Sequence, residues 1–449
     1  MPRTASSFAL ALLLLAPFAG TALAMPDGWT VRAEHTRLAF PTTLRMAPDG
    51  RLFYLERATG RVMVYPTPDA PVAAVWATLP VESSTEHGML GLAFHPQYPD
   101  SPYVYVYYTN LSPRVNRVVR MLDMRDHGVN LQVIVDDLPA YGMYHHGGRM
   151  AFGPDGLLYV TFGDETDPQY APEPNDVRGK ILRFTPLGQP APGNPFGAGN
   201  PVYATGVRNP FGLTFDPLFG LGYFTDNGPD CDDKIELLVP GADYGWGVNA
   251  PCGTTPPGAR DALAMFTPTI APTGCTIYRS TLDPTFDGDL FFGSFNLCAV
   301  VRTHFQPWNQ RVIDSMDRSF ALTGGDPVTD VTMGADGTLW FCSTAAIWHV
   351  LPPVETAVPV GPAPAAFRAE PNPFHGAIGF ALPRSARGAR LEIVDVAGRR
   401  VRSWAPPLPA AMTWDGCDPA GRPLAAGVYF ARLIGGDGTL QRRLVRLER

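Results

Sequence analysis

Hydrophobic positions along most of the chain fall in short aromatic and β-branched bursts, such as Leu52-Phe53-Tyr54, Tyr103-Val104-Tyr105-Val106-Tyr107 and Leu158-Tyr159-Val160, separated by turn residues. Such bursts predict strands. Three of them follow one turn phrase directly: Ala47-Pro48-Asp49-Gly50, Gly153-Pro154-Asp155-Gly156 and Gly334-Ala335-Asp336-Gly337. Looser copies occupy Phe94 to Thr109, Phe215 to Thr225 and Phe286 to Phe292. Six copies at about one blade-length each predict an all-β chain folded as a six-bladed β-propeller, in which every sheet buries its faces against its neighbours. A β-sandwich with ordinary hairpins has no reason to repeat one phrase over such a length.

Two segments break the pattern. Arg3, the apolar run Phe8 to Ala16 and small residues ending Ala22-Leu23-Ala24 read as a secretory signal over residues 1–24. The run is too short to span a bilayer, and no second candidate follows. The propeller is then expected over 25–351. Pro352-Pro353-Val354 and Gly361-Pro362-Ala363-Pro364 read as a semi-rigid Pro/Ala linker, 352–369. The remainder, 370–449, carries short strands around Leu391 to Val396, Val401 to Trp404, Gly427 to Leu433 and Leu440 to Leu447, which fit a small Ig-like β-sandwich.

With 46 Gly, 48 Pro and only 17% charged residues, the composition supports many turns and few long surface helices. The formal charge of −7 is mild and unclustered, which points away from nucleic acid and from a polybasic membrane patch and towards small-molecule partners. Six cysteines in an exported chain make pairing the default. Cys231 with Cys252, and Cys275 with Cys298, are the sequence-near candidates.

Propeller sites form where loops from several blades converge at one end of the channel. His145-His146-Gly147-Gly148-Arg149 precedes the third repeat, with a histidine suited to take an alcohol proton and two glycines that allow close backbone approach to a ligand. Two ordinary loop histidines on a polar rim would read the same way.

Other segments join this one in order: Glu86-His87-Gly88-Met89 through His95-Pro96, Gly179-Lys180-Ile181-Leu182-Arg183, Asn194-Pro195-Phe196, Gly206-Val207-Arg208-Asn209-Pro210, Asp226-Asn227-Gly228-Pro229 and Gly241-Ala242-Asp243-Tyr244-Gly245-Trp246. From about residue 36 to 350 the chain resembles the glucose/sorbosone dehydrogenase family, soluble six-bladed propellers that use pyrroloquinoline quinone (PQQ) and calcium. The resemblance implies that His145 is the base for the sugar hydroxyl and that Arg208 stabilises charge on the quinone oxygen. Glu86, Asn209 and Asn296 would line the cofactor, and the carbonyls of Gly228 and Pro229 would hold calcium, with Asp232, Asp233 and Glu236 as further oxygens nearby. The three acids could equally be a solvated loop.

Departures accompany the match. The family's Arg-x-Arg-Asp-Val phrase is Pro327-Val328-Thr329-Asp330-Val331 here, a family lysine is replaced within Gly293-Ser294-Phe295-Asn296, and Tyr144 stands where an acid or amide is expected before the base. Three cationic contacts to a triply acidic cofactor are missing, each worth roughly 1.5–3 kcal/mol.

Pro371-Asn372-Pro373-Phe374, Asp395-Val396-Ala397-Gly398-Arg399, Trp414-Asp415-Gly416 and Gly427-Val428-Tyr429 resemble hook-capping-type Ig-like and C-terminal sorting domains, implying attachment to secretion or cell-surface machinery. The expectation is an exported PQQ- and calcium-dependent dehydrogenase of a sugar or polyol, secreted, periplasmic or cell-surface, passing electrons to an external acceptor. Two readings stand beside it: a non-redox propeller that binds carbohydrate or protein, and a calcium-dependent lactonase-type hydrolase in which His145 activates water.

Overall fold

A computed structural model describes residues 25–353, apart from 281, 307 and 308, and residues 367–447, apart from 371, 373, 383–388, 396–397, 410 and 436–437. The expected signal segment and most of the expected linker lie outside the described residues. Two compact units divide within the linker, Met1–Val354 and Glu355–Arg449.

The first unit opens with β1 (Thr30–Thr36), which pairs only with the last blade. Five four-stranded antiparallel sheets then follow in chain order. They are β2 (Pro41–Met46), β3 (Leu52–Glu56), β4 (Arg61–Tyr65) and β5 (Ala74–Thr78); β6 (Met89–Phe94), β7 (Tyr103–Asn110), β8 (Val115–Asp123) and β9 (Gly128–Leu138); β10 (Met150–Phe152), β11 (Leu158–Phe162), β12 (Lys180–Phe184) and β13 (Val202–Ala204); β14 (Gly212–Phe215), β15 (Gly222–Asp226), β16 (Asp233–Leu238) and β17 (Ala264–Phe266); and β18 (Pro272–Ile277), β19 (Leu290–Ser294), β20 (Ala299–Gln306) and β21 (Asn309–Leu322). The sixth blade is β22 (Val328–Met333), β23 (Leu339–Ser343) and β24 (Ala346–Leu351), completed on its outer edge by β1 with Thr30 opposite Leu351. Joining the first strand to the last sheet closes the ring and leaves the two ends of the unit hydrogen-bonded to each other. The innermost strands β2, β6, β10, β14, β18 and β22 each neighbour the next, and β22 meets β2 again. This is the expected six-bladed propeller.

Each repeated turn phrase occupies the same place, the hairpin between the first and second strand of a blade. In Ala47 to Arg51 the Ala47 amide donates to the Arg51 carbonyl at 2.8 Å, and the Gly50 amide closes the turn on the Ala47 carbonyl. Gly50, Gly156 and Gly337 have φ of 90°, 73° and 82°, the left-handed conformation this turn requires of its last residue. Between blades the apolar bursts pack face to face. Phe53 and Val62 meet Leu92 and Val104, Tyr107 and Leu138 meet Leu158 and Phe162, and Trp340 and Ile347 meet Leu44 and Tyr54.

The second unit contains a sheet of β25 (Arg368–Glu370), β26 (Ile378–Ala381) and β29 (Ala411–Trp414), and another in the order β28 (Arg400–Trp404), β27 (Arg390–Asp395), β30 (Gly427–Gly435) and β31 (Gly438–Arg446). Phe374, Ile378, Leu391, Ile393, Trp414 and Leu433 form its own core, the arrangement expected of an Ig-like sandwich.

Candidate functional site

All six innermost strands run away from the same end of the channel, so the residues just before them gather at one mouth. Glu86 precedes β6, His145 precedes β10, and Arg208-Asn209 precede β14. The structure links these expected residues directly. One carboxylate oxygen of Glu86 accepts the His145 amide at 2.8 Å and the Asn209 side-chain amide at 3.2 Å, while Asn209 Oδ1 accepts the Gly147 amide at 3.3 Å. Three blades are thereby tied around His145.

The imidazole of His145 has Nδ1 2.6 Å from Asp164 Oδ1. A carboxylate only accepts, so Nδ1 carries a proton, and in the neutral ring the lone pair is on Nε2. That lone pair meets no protein donor among the described residues. Asp164 is held in turn: Trp246 Nε1 donates to its second oxygen at 2.6 Å, the Thr166 amide donates to the first at 2.8 Å, and its own amide donates to the Arg208 carbonyl at 2.8 Å. The Asp164 side chain is 1% exposed, against 13% for His145. An immobile, dry carboxylate behind a partly open histidine fixes the ring's tautomer and aim. His145 itself sits at φ 69°, a conformation that costs a non-glycine residue on the order of 1 kcal/mol and that the surrounding contacts impose.

A parallel pair lies one residue along. His146 Nδ1 is 2.6 Å from Glu165 Oε1, and Glu165 also accepts the Asn116 side chain and the Gly142 amide. The His87 ring packs against that of His146, tilted by 36° with centroids 3.9 Å apart, and burial pushes the His87 pKa down. This second pair is buried and anchors the loop before β10 that carries the base. The adjoining glycines serve packing between the blades. A Cβ on Gly148 would lie 2.7 Å from both Leu90 and Tyr107, so blades two and three can close only with glycine there.

Arg208 lies over the Trp246 ring at 5.4 Å and donates from Nη1 to the carbonyls of Asn227 and Gly228, each at 2.9 Å. Its Nε and Nη2 find no protein partner among the described residues. Behind it, Asp226 accepts the amides of Arg208 and Asn209 and is raised by burial to about 6.

The remaining expectations divide. Asn296 is on the β19–β20 hairpin, donates to the Thr269 carbonyl at 3.3 Å, and makes no hydrogen bond to the His145 cluster. Asp233 is consumed by the amides of Gly228, Ile270 and Ala271. Asp232 accepts the Gly253 amide and the Thr267 hydroxyl. Glu236 is fully buried further along β16, with neither oxygen hydrogen-bonded among the described residues and its pKa pushed well up by burial. Cys231 and Cys252 form the expected disulfide, which takes the two sulfurs that with Asp232 would make a three-ligand cluster. The Cys275–Cys298 bridge does not form. Cys275 is buried on β18 opposite Phe292, whereas Cys298 sits beyond Ser294 in the hairpin at the end of the blade, several residues of strand rise away.

The partner of His145 is Asp164, not the residue before it, where Tyr144 stands. The register of β10 with β11 pairs Met150 with Val160; continued to the mouth, it brings residues 145–146 against 164–165. The same register places Glu165 beside His146, whereas Asp226, although it opens a recognised segment, has no sequence signal for its backbone contacts.

The glucose/sorbosone dehydrogenase family model matches residues 38–347. The chain belongs to that family. An FlgD Ig-like domain model matches residues 372–433. Quinoprotein glucose dehydrogenase B of Acinetobacter calcoaceticus is 28% identical over 278 residues, 53% of this chain and 58% of that protein. Among solved structures, an oxidoreductase described as a glucose dehydrogenase from Thermus thermophilus is 33% identical with a TM-score of 0.65, covering 72% of this chain and 100% of that one. The PQQ-bound aldose sugar dehydrogenase of Streptomyces coelicolor is 27% identical with a TM-score of 0.63, covering 73% and 99%. Membership makes this chain a sugar-dehydrogenase-like oxidoreductase, and no described helix is long and apolar enough to cross a membrane.

Proposed function

We propose that the protein oxidises a hydroxyl of a sugar or polyol at the His145 mouth, with PQQ as hydride acceptor, calcium beside it and an external electron acceptor to regenerate it. The observation that carries this reading is the His145–Asp164 pair at 2.6 Å beside Arg208. His145 Nε2 takes the hydroxyl proton, Asp164 holds the ring and balances the imidazolium, and Trp246 keeps Asp164 from turning away. Removing that proton makes the adjacent carbon a better hydride donor.

The residues fit the quinone end of PQQ, the part that accepts the hydride when the cofactor is bound. Arg208 has guanidinium nitrogens to spare for an oxygen on which negative charge grows, and a fixed cation acts there without reorganising. Glu86 and Asn209 hold the floor, and the carbonyls of Gly228 and Pro229 remain the proposed calcium ligands, with Gly228 shared with Arg208. The carboxylate end fits less well. Asp326, before β22, accepts from Ser343 and Thr344, so a blade end expected to offer arginines offers an acid. Asn296 is the proposed polar contact from blade five.

Export is part of the proposal, supported by the Cys231–Cys252 disulfide, which persists in oxidising compartments. The Ig-like domain is proposed to attach the enzyme to secretion or cell-surface machinery. Purified protein with PQQ and calcium should bleach an artificial electron acceptor when given aldoses, and His145→Ala should not. Sugar-independent bleaching, or no PQQ binding with retained carbohydrate binding, would replace the enzyme reading with that of a binding propeller.

A further inference from the structure

The far end of the channel, away from His145, opens into a cavity of about 280 Å³ to which the innermost strand of every blade contributes, represented by Arg45, Phe94, Phe152, Phe215, Thr276 and Thr332. Its wall exposes polar and apolar surface in about equal measure, with the phenylalanines supplying much of the apolar part, and Arg45 is its sole charged lining residue among the described residues.

Arg149 lies above this cavity, 2% exposed. Its guanidinium donates to the carbonyls of Thr42, Leu90, Phe211 and Thr329 and to the Thr43 hydroxyl, reaching four other blades. Between the two arginines sits Asp330, wholly buried, 2.5 Å from Arg45 Nη1 and 3.8 Å from Arg149 Nη1. The thiols of Cys275 and Cys342 face the same cluster, and burial pushes both up to about 12, so they are neutral. Two cations against one anion leave one positive charge unmatched in a low-dielectric channel, a costly state unless a counter-charge is supplied. Arg149 has its hydrogen bonds filled. Arg45 does not: Nη1 serves Leu44 and Asp330, while Nε and Nη2 meet no described protein acceptor.

We propose that this cavity is a binding site for a small organic monocarboxylate with an apolar body, its carboxylate on the open edge of Arg45 and its body among the phenylalanines. The site is separate from the His145 mouth and stands whether or not the protein oxidises sugars.

Calorimetric titration of benzoate into the mature protein tests it, with benzamide as the neutral isostere. Benzoate should bind with a Kd of about 1 mM or tighter, and benzamide at least about tenfold more weakly. Arg45→Met should weaken benzoate by at least about tenfold, while His145→Ala should leave it unchanged. Thr276→Phe, which keeps the charge and fills the cavity, should abolish binding and decides the matter if Arg45→Met does not fold. Absence of benzoate binding, equal affinity for benzamide, survival of binding in Thr276→Phe, or its loss in His145→Ala would each overturn the proposal.

Discussion

Asp164 Oδ1 lies 2.6 Å from the Nδ1 of His145, although nineteen residues separate them in the chain. This contact decides which nitrogen of His145 is free to act as base. Asp164→Asn keeps the shape but can present an amide N–H to Nδ1, which favours the wrong tautomer. Turnover with PQQ, calcium and aldose should fall by about 10²–10⁴-fold, while PQQ affinity changes little. A variant with near-normal turnover would remove Asp164 from its positioning role.

Arg208 makes a different prediction because it faces the cofactor rather than the proton. Arg208→Ala should weaken PQQ binding by about 10- to 100-fold, the range for one charge-assisted hydrogen bond, and lower turnover as well. Arg208→Lys should recover only part of this, since a point charge cannot span the Asn227 and Gly228 carbonyls and a ligand oxygen together. Unchanged affinity in Arg208→Ala would place the cofactor elsewhere.

Blades, closure and site residues differ in how far sequence alone exposes them. Gly50, Gly156 and Gly337 are needed by a local turn, so the hairpins are visible as a repeated phrase. His145, Arg208 and Asn209 stand in recognisable segments, and the fold places them at one mouth of the channel. The acids behind them are different. Asp164 and Glu165 hold their places through contacts across a hairpin, which leave no local pattern, and Asp226 stands in a recognisable segment whose backbone contacts that segment does not reveal. Closure by β1 on β24 has the same character, as does the failure of Cys275 to reach Cys298, where nearness in sequence hides opposite positions along one blade.

The cysteines give a direct chemical check. Denatured but unreduced protein should alkylate at Cys275, Cys298, Cys342 and Cys417 and not at Cys231 or Cys252. In the native protein Cys275 and Cys342 should stay unmodified at pH 7, being buried with thiols near 12. Replacing Cys231 and Cys252 by serine should cost about 3 kcal/mol, the constraint expected for a loop of 21 residues, read from denaturant unfolding. Protection of Cys275 and Cys298 in the unreduced chain would mean that they pair after all.

Asp226 predicts a pH effect whose sign is opposite to that of a salt-bridged acid. Burial raises its carboxyl from 3.8 to about 6, and the amides of Arg208 and Asn209 recover only part of that penalty. The folded state therefore holds this proton more tightly than the unfolded chain. Its contribution to stability is greatest below about pH 3.8 and declines as the pH rises to about 6, by up to about 3 kcal/mol. Other carboxylates act in the reverse direction, Asp336 for instance being held at about 2, so the test is a difference. Unfolding free energies of the natural protein and of Asp226→Asn, measured from pH 4 to 7, should diverge across that window, with the natural protein losing ground as the pH increases. A constant difference would mean that Asp226 titrates as an ordinary carboxylate, and that the Arg208–Asn209 backbone is held without straining it.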